Sequence, residues 1–310
     1  MTNSEIAFMA LAEELNFTRA AERIFMSQQG LSDHIKRLEA EYDTQLVTRR
    51  PEVTLTDSGA VVYNMLLTKK VMELDVHRMI ADINHGNIGD VRIGISSSRT
   101  GIFTGKIISR FYELHPKIHL NIVSGMTASL MQMLYEGKLD FVIGVNPPQI
   151  KGLHIEQLFD DKLYIAVPKH IAVERTGNAE CVDIRSYQDL PFIRDLQESN
   201  LGYELDRFLA KQNISLNTII NSNDYNEKAE LCVVLDAAMF CTKTFTCSMA
   251  RKSLGEKLQI LEIDGLNYSV TVCLITSGQR AYPKCVTDMI EISRDSIRQF
   301  YDENIVSNQM

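Results

Sequence analysis

The stretch from Phe17 to Leu38, FTRAAERIFMSQQGLSDHIKRL, has the pattern of two short helices joined by a tight turn. Thr18 belongs to the residue types that cap helices, and the small and apolar residues after it predict a first helix. Ser27 is a second candidate cap, and the apolar residues after it recur at offsets of three and four, which predicts a second helix. A packed helical hairpin and a DNA-reading helix-turn-helix both fit this pattern.

The predicted outer face of the second helix is polar. Its side chains are amides, hydroxyls and cations, the groups that hydrogen-bond to base edges and phosphates. Arg49 and Arg50 precede Val53–Leu55, a predicted wing hairpin, from which cations could contact phosphates beside the groove. The candidate DNA-contacting residues are Thr18, Arg19, Ser27, Gln28, Gln29, Ser32, His34, Lys36, Arg37, Arg49 and Arg50.

Residues 1–59 resemble the N-terminal winged helix-turn-helix of the LysR-type transcriptional regulators. The matching positions are Phe8, Ala12, Asn16–Ala21, Ser27–Gln29, Leu31–Ser32, His34–Ile35, Leu38–Glu39, Leu46–Arg49 and Val53–Gly59. Two positions depart from the family: Gly30 stands where a small residue or proline is usual, and Val47 where phenylalanine is usual. The resemblance implies sequence-specific binding to double-stranded promoter DNA.

The charge of the chain does not by itself indicate a DNA-binding protein. The net charge is −8, and residues 1–59 contain six Lys and Arg against ten Asp and Glu. Because a basic domain is the usual footprint of a nucleic-acid binder, binding has to depend on where the cations lie. Lys36, Arg37, Arg49 and Arg50 could line one face, or they could be solvated surface charges. We expect modest non-specific affinity and a contribution from dimer avidity.

Residues 60–88 form the next unit, a predicted linker helix and hinge. No Pro or Gly occurs from Ala60 to His85, and apolar residues recur at helical spacing, which predicts a helix of about 25 residues. Gly86–Asp90 reads as a hinge. The helix either packs on its own domain or, as the family resemblance implies, pairs antiparallel with that of a second subunit. We therefore expect a homodimer at least, and the resemblance implies a tetramer.

From residue 89 the chain alternates predicted strands and helices, which indicates a mostly parallel sheet covered by helices. Residues 89–310 resemble the two-lobed effector domain of LysR-type regulators, itself similar to periplasmic solute-binding proteins. We assign lobe I to about 89–163 plus 270–304 and lobe II to about 164–269. The fold class is thus α/β multidomain: a winged helix-turn-helix, a long linker helix and a two-lobed effector domain. The family's glycine-rich turn is missing from residues 236–243, which puts that part of the cleft in doubt.

In such folds a ligand binds outside the carboxyl ends of the strands. Ser96–Thr100 follows the first strand, and hydroxyls with backbone N–H groups at a helix start favour an anion such as a carboxylate. The resemblance assigns effector-contacting hydroxyls to Ser98 and Thr127, while Asn221–Asn223 follow a strand of the other lobe. Ordinary helix caps and surface arginines are the alternatives. The candidate effector-binding residues are Ser97, Ser98, Arg99, Thr100, Thr127, Ile193, Arg194 and Ser222.

The six cysteines raise a second mechanism, thiol-based redox sensing. The resemblance places Cys232, Cys241 and Cys247 in the region where peroxide-sensing members of the family have paired thiols. Apolar or weakly basic surroundings do not favour reactive thiolates, so this mechanism is the less favoured one. No cysteine or histidine spacing fits a zinc site, and we expect no metal and no cofactor.

Other functional classes fit less well. No motif of a nucleophile elbow, a phosphate loop, a zinc protease or a dinucleotide-binding turn occurs, so we predict a regulator and not an enzyme. The polar start of the chain lacks a signal peptide, and no apolar run approaches the ~20 residues of a membrane span, so we expect a cytoplasmic protein. The missing signal peptide and the fused N-terminal module both argue against a stand-alone solute-binding protein.

Overall fold

The computed structural model describes residues 1–85, 89–177, 179–196, 200–249, 254–278 and 280–306. Contacts between Cα atoms divide the chain into two units. One unit consists of Met1–Asn84 with Tyr135–Gly137, and the other contains the remaining residues. Most of the hinge expected at Gly86–Asp90 falls on residues 86–88, which lie outside the described residues.

The N-terminal unit is a winged helix-turn-helix followed by a long helix. Its elements are α1 (Asn3–Glu14), α2 (Phe17–Arg23), α3 (Gln28–Glu41), β1 (Val47–Thr48), β2 (Thr54–Leu55) and α4 (Asp57–His85). The apolar side of α3 is fully buried: Leu31, Ile35 and Leu38 pack with Phe8 and Leu11 of α1. The two helices predicted around the turn are therefore confirmed, and β1 pairs antiparallel with β2 to form the predicted wing hairpin.

The caps of these helices differ in part from the prediction. Asn16, not Thr18, caps α2: its side chain accepts hydrogen bonds from the N–H groups of Thr18 and Arg19 at 2.9 and 3.1 Å. The prediction for Thr18 was wrong because α2 begins at Phe17, which leaves Asn16 in the capping position. Ser27 caps α3 as predicted, since its hydroxyl accepts from the N–H of Gly30 at 3.1 Å.

The second unit has two α/β lobes. Lobe I contains β3 (Asp90–Ser96), α5 (Ser97–Leu114), β4 (His119–Gly125), α6 (Thr127–Tyr135), β5 (Phe141–Val145), β12 (Ser269–Ser277) and α11 (Lys284–Tyr301), followed by a π-helical turn at Asp302–Val306. Lobe II contains α7 (Lys169–Thr176), β7 (Cys181–Val182), the 3-10 helix Ile184–Tyr187, β8 (Pro191–Arg194), α8 (Asn200–Lys211), β9 (Asn217–Asn221), α9 (Tyr225–Leu235), β10 (Ala238–Thr242), α10 (Lys243–Met249) and β11 (Leu258–Ile263). The strand β6 (Leu153–Pro168) belongs to both lobes.

The strands form one continuous sheet in the order β4-β3-β5-β12-β6-β10-β8-β9, with β11 also paired to β6. In lobe I, β3 is parallel to β4 and β5, and in lobe II β8 is parallel to β9 and β10. The long strand β6 pairs with β12 in lobe I and with β10 in lobe II. Each lobe has its own apolar core, one around Phe103 and Met289 and the other around Phe192 and Phe240.

The segment without the family's glycine-rich turn still forms a strand. Asp236 ends α9 in the left-handed conformation, with φ of 50°, and its N–H bonds to the carbonyl of Cys232. Aspartate tolerates this conformation better than most residues other than glycine and asparagine. Asp236 therefore makes the turn that a glycine would make, and β10 follows from Ala238 with all of its residues buried.

Candidate DNA-reading head and effector cavity

The first turn of α3 presents polar side chains to solvent. Gln28 and Gln29 are exposed and Ser32 is half-buried one turn later. Lys36 and Arg37 extend the exposed face toward the end of the helix. With 3.6 residues per turn, Gln29, Ser32 and Lys36 share one face of the helix, and Gln28 and Arg37 flank that face on opposite sides. Such amides, hydroxyls and cations can bond to base edges and phosphates.

His34 is oriented differently from the other candidates on α3. It is half-buried, and its Nδ1 lies 3.1 Å from the Ser4 hydroxyl of α1. This hydrogen bond gives His34 a role in packing α3 on α1. A contact of His34 with DNA stays a prediction.

The cations near the reading helix fall into two groups. Those of α2 are paired with acids of α1: Arg19 Nη2 lies 2.6 Å from Glu14, and Arg23 pairs with Glu13 and Glu14. Arg37 and the two wing-loop residues Arg49 and Arg50 are exposed, and within the described part of the chain no carboxylate pairs with them. The Arg49 guanidinium lies 5.4 Å from the ring centre of Phe17. Lys36 of α3 lies 3.9 Å from Asp33. Arg37, Arg49 and Arg50 are thus better placed for phosphate contacts than Arg19.

The second candidate site is a cavity of about 340 Å³ in the effector unit. Ser96 at the end of β3 pairs in register with Gly125 at the end of β4, so α5 and α6 begin side by side at the same edge of the sheet. Residues Ser96–Arg99 and Gly125–Ala128 line the cavity. The side chain of Ser96 makes no capping hydrogen bond to α5. The N–H groups of the first turn of α5 therefore receive no hydrogen bond from a Ser96 cap.

Hydroxyl groups surround these two helix starts. The Ser98 hydroxyl lies 3.1 Å from that of Ser96, and Thr127 Oγ1 accepts a hydrogen bond from the N–H of Val145 at 3.0 Å. Thr127 is thereby held in place, and its own hydroxyl proton stays available for an acceptor. Such groups suit an anionic oxygen.

The opposite wall comes from lobe II and contains a carboxylate. Its cavity-lining residues are Asp195, Leu201, Asn223 and Tyr225. Asp195 is 6% exposed and accepts a hydrogen bond from Lys228 Nζ at 2.9 Å, and Lys228 is fully buried. Burial raises the pKa of Tyr225 well above its usual value, so its phenol stays protonated.

Arg99 joins the two lobes and does not project into the cavity as a free cation. It is 1% exposed, and its Nη2 lies 3.0 Å from Asp161 while its Nη1 donates to Thr242 and Thr244 at 2.9 and 3.1 Å. Asp161 in turn accepts from Thr244 at 2.5 Å. Because the terminal nitrogens of the guanidinium are already engaged, Arg99 is a poor partner for a ligand carboxylate, which corrects its predicted role.

Four further candidates do not line the cavity. Arg194 Nη2 pairs with Asp206 at 2.5 Å, and Ile193 is buried in the core of lobe II. The Ser222 hydroxyl donates to Glu227 at 2.5 Å, and the Thr100 hydroxyl donates to the carbonyl of Ser96 at 3.2 Å. Ser97, Ser98, Arg99 and Thr127 do line it.

Five polar lining residues were missing from the list of candidates: Ser96, Asn146, Asp195, Asn223 and Tyr225. Asp195 directly follows β8. The expectation that ligand-binding residues follow the ends of strands, which selected Arg194, could therefore also have selected Asp195. Tyr225 begins α9 two residues after Asn223, and the same expectation had already pointed to Asn223. Asn146 follows β5, but its side chain is engaged, since it accepts from the N–H of Thr271 at 2.7 Å and donates to Tyr268 at 2.7 Å.

The thiols differ widely in exposure. Cys181 is exposed and Cys247 is half-buried, while Cys232, Cys241, Cys273 and Cys285 are buried. Burial raises the pKa of Cys232 to about 12 and moves that of Cys241 in the same direction. These two thiols are therefore weak nucleophiles near neutral pH.

Two structural features are absent from the described residues. Among them, no group of three or more His, Cys, Asp or Glu side chains has a geometry that could hold a metal ion. No helix in the same part of the chain is both long and apolar enough to cross a membrane.

A winged helix-turn-helix with an exposed polar reading helix, joined in one chain to two α/β lobes around a cavity, defines a ligand-binding DNA-binding regulator. Residues 6–60 match the family model for the bacterial regulatory helix-turn-helix protein, lysR family, and residues 84–298 match that for the LysR substrate binding domain. The chain therefore belongs to the LysR family of transcriptional regulators, which generally are not enzymes.

Individual relatives are distant. A probable RuBisCO transcriptional regulator from Trieres chinensis is 30% identical over 166 residues, so the chain spans about half the length of that protein, with 52% of this chain and 53% of the relative aligned. The structure of ArgP from Mycobacterium tuberculosis has a TM-score of 0.67 at 12% identity, covering 95% of this chain and 96% of that one. CbnR, solved in complex with its target DNA, has a TM-score of 0.58 at 15% identity, covering 96% and 100%. The two structures show a shared fold.

Proposed function

We propose that this LysR-type regulator responds to a small anionic metabolite, most simply a carboxylate, bound between the two lobes. The observation that carries the proposal is the convergence of two helix N-termini, those of α5 and α6, on one cavity. Each helix N-terminus has a positive end of its dipole and N–H groups that need acceptors. Two such ends beside the hydroxyls of Ser98 and Thr127 favour a negatively charged ligand.

The formal charges in the cavity wall support the same conclusion. Arg99 is paired with Asp161 and Lys228 with Asp195, so the buried cations and anions cancel. The helix N-termini are left as the uncompensated positive contribution to the local potential. An anion gains from that potential, whereas a cationic ligand would meet two helix ends of the same sign.

The rest of the lining sets the character of the ligand beyond its charge. Met126, Val145, Leu201 and Val270 give the cavity an apolar middle, which fits a hydrocarbon or aromatic body. Asn223 and the Tyr225 phenol add hydrogen-bonding groups on the lobe II side. A compact carboxylate with an apolar body matches this combination.

The response follows from a population shift between arrangements of the two lobes. A ligand that contacts both walls binds one arrangement more tightly and can shift the equilibrium only by that difference in affinity. In a dimer, the shift would change the spacing or angle of the paired reading heads and so the bending of DNA.

On the DNA side, we propose that Gln28, Gln29 and Ser32 read base edges, while Lys36, Arg37, Arg49 and Arg50 bind phosphates. Their exposure on α3 and in the wing loop supports these roles. Ser27 contributes through its cap, which shapes the first turn of α3. Thr18 and Arg19, at the start of α2, would be at most peripheral phosphate contacts.

A second subunit would cover the exposed stripe of α4. Val62 and Leu66 of this helix are buried in their own unit, in part as the packing alternative predicted. Met65, Met72, Val76 and Ile80 recur at offsets of four and seven and are 40–53% exposed. A stripe of this kind on a long helix suits pairing with an equivalent helix.

The test of the effector proposal is a thermal-shift screen of carboxylates, each paired with its neutral primary amide. Carboxylates that bind are expected to raise the melting temperature more than their amides do, and Ser98→Ala is expected to weaken this rise. Ser109→Ala is the matched control, since Ser109 is exposed on the same helix. Amides that stabilise as well as their acids, or equal responses in both variants, would contradict the proposal.

A further inference from the structure

Phe25 lies in the turn between α2 and α3 in a backbone conformation that phenylalanine rarely adopts. Its φ is 56°, in the left-handed region. Its N–H bonds to the carbonyl of Glu22 at 3.2 Å, and the next N–H, that of Met26, bonds to the carbonyl of Ala21 at 2.9 Å. This pair of bonds is the Schellman arrangement at a helix end, and glycine is the usual residue at the position that Phe25 occupies.

Burial of the Phe25 side chain does not offset the cost of this backbone conformation. Phe25 is 98% exposed, the highest value among the large hydrophobic residues of the described chain. The other described residues besides glycine with positive φ are Leu15, Asp43, Asn146, Asn213 and Asp236. Most of these are Asn or Asp, which tolerate this conformation, and Leu15 is only about half exposed at 47%. A strained position holding a fully exposed aromatic ring indicates a function outside the folded domain.

The place of Phe25 indicates what it contacts. It is two residues before Ser27, the cap of the reading helix, and three before Gln28. In helix-turn-helix proteins the N-terminal residues of the second helix contact base edges in the major groove. Phe25 is therefore continuous with the reading face of α3.

The charges of the reading head add a reason for an uncharged contact. Residues 1–59 have more acids than bases, and Arg19 and Arg23 are paired with glutamates. Binding that depends on released counterions needs many cations facing phosphates, and this head has few. An apolar contact would add affinity that salt does not weaken.

We propose that Phe25 packs against the C5 methyl group of a thymine at the edge of the major groove, next to the bases read by α3. Phenylalanine is among the side chains that contact this methyl group. The inference rests on the proposed role of α3 in reading DNA. It adds an apolar contact with its own base preference to the amide and hydroxyl contacts of the helix.

The first experiment compares Phe25→Asn with Leu15→Asn. Both changes place asparagine at a left-handed position of the same unit, so they have similar effects on the backbone. Phe25→Asn is expected to keep or raise the melting temperature and to lower affinity for the DNA upstream of the protein's own gene about tenfold. The slope of affinity against salt should stay unchanged. Leu15→Asn is expected to leave DNA affinity within twofold of the unaltered protein.

The second experiment replaces single thymines of the bound site by uracil, which removes only the methyl group. At one position the replacement should cost the unaltered protein about fourfold in affinity and cost Phe25→Asn nothing. Phe25→Leu, which restores an apolar side chain, should recover part of the sensitivity.

The results separate this inference from the proposed function. The thymine contact is ruled out if every uracil has equal effects on both proteins. It is also ruled out if Phe25→Asn keeps its DNA affinity within twofold of the unaltered protein. Either result would favour a protein partner as the contact of the Phe25 ring. Failure of the unaltered protein to prefer its upstream DNA over a scrambled sequence would instead count against the proposed reading role of α3.

Discussion

Arg37, Arg49 and Arg50 are exposed on the reading head, whereas Arg99, in the wall of the effector cavity, and Lys228, bonded to the wall residue Asp195, are buried. The exposed cations have no carboxylate partners in the described part of the chain, while each buried one has an aspartate within about 3 Å. An exposed charge can bind a partner from solution. A buried, paired charge instead holds two segments of the fold together, and its removal costs stability before it affects binding.

The largest effect expected from the difference between buried and exposed charges is at Asp161. Asp161→Ala leaves the Arg99 guanidinium buried without its carboxylate, which is expected to lower the free energy of unfolding by about 3–5 kcal/mol. Denaturant unfolding measures the change. Glu204→Ala, which removes the carboxylate of the solvent-accessible Glu204–Arg207 pair on α8, is the control and should have little effect. Similar losses in the two variants would mean that burial does not set the importance of a charge pair here.

A charge placed on the exposed stripe of α4 should act through a second subunit and not through the fold. Val76→Glu puts a carboxylate into the proposed apolar interface and is expected to weaken dimerisation about hundredfold or more, because an unpaired charge would be buried. Sedimentation velocity over a range of concentrations measures this. Lys70→Glu, on the other side of the helix, should leave the dimer intact. A dimer that tolerates Val76→Glu would rule out pairing through this stripe.

Substitutions of exposed residues in the reading head are expected to affect DNA binding in two different ways. Gln29→Ala is expected to reduce discrimination at one base pair by about 1–3 kcal/mol. Arg49→Ala should weaken binding to all sequences alike and reduce the salt slope by about 1. Fluorescence anisotropy with single-base variants of the site, measured at several salt concentrations, distinguishes the two. The assigned roles fail if both variants show the same pattern.

The smallest expected effect is a difference in the rates at which two thiols react with an alkylating reagent. Burial raises the pKa of Cys232 to about 12, so only a trace of thiolate exists near pH 8, whereas Cys181 is exposed. Iodoacetamide should therefore label Cys181 first in the folded protein and label both residues at similar rates in urea. Mass spectrometry of timed digests follows the labelling. Native labelling of Cys232 as fast as that of Cys181 would revive the redox mechanism.

The sequence predicted the reading head well because its geometry is local. Ser27 and the apolar spacing of Leu31, Ile35 and Leu38 define the phase of α3, and this phase places Gln29 on the outer side. Gln28 is exposed because it is the first residue of the helix, one turn before the buried stripe begins. One contact of His34 has no local signal in the sequence, namely its hydrogen bond to Ser4 on another helix.

The effector cavity could be predicted only in part because its walls come from distant segments. Ser98 and Thr127, which the family resemblance selected, both line the cavity, each in the first turn of a helix that follows a strand. The role of Arg99 depends on Asp161, Thr242 and Thr244, whose proximity follows from the path of β6 and β10 and has no local signal. Asp195 was passed over for Arg194, although the acid and not the base lines the cavity.

The position of β12 in the sheet also sets an order of assembly during synthesis. β12 lies between β5 and β6, yet Ser269–Ser277 leaves the ribosome after all of lobe II. Until it emerges, β5 has β3 on one side and an open edge on the other. Apart from Val270 of β12, the buried core of lobe II lies within residues 163–266, so most of it can form before β12 emerges, and the lobe that begins earlier in the chain is completed last. A nascent chain stalled before residue 269 would therefore expose the edge of β5, which makes this stage the one most open to misassociation.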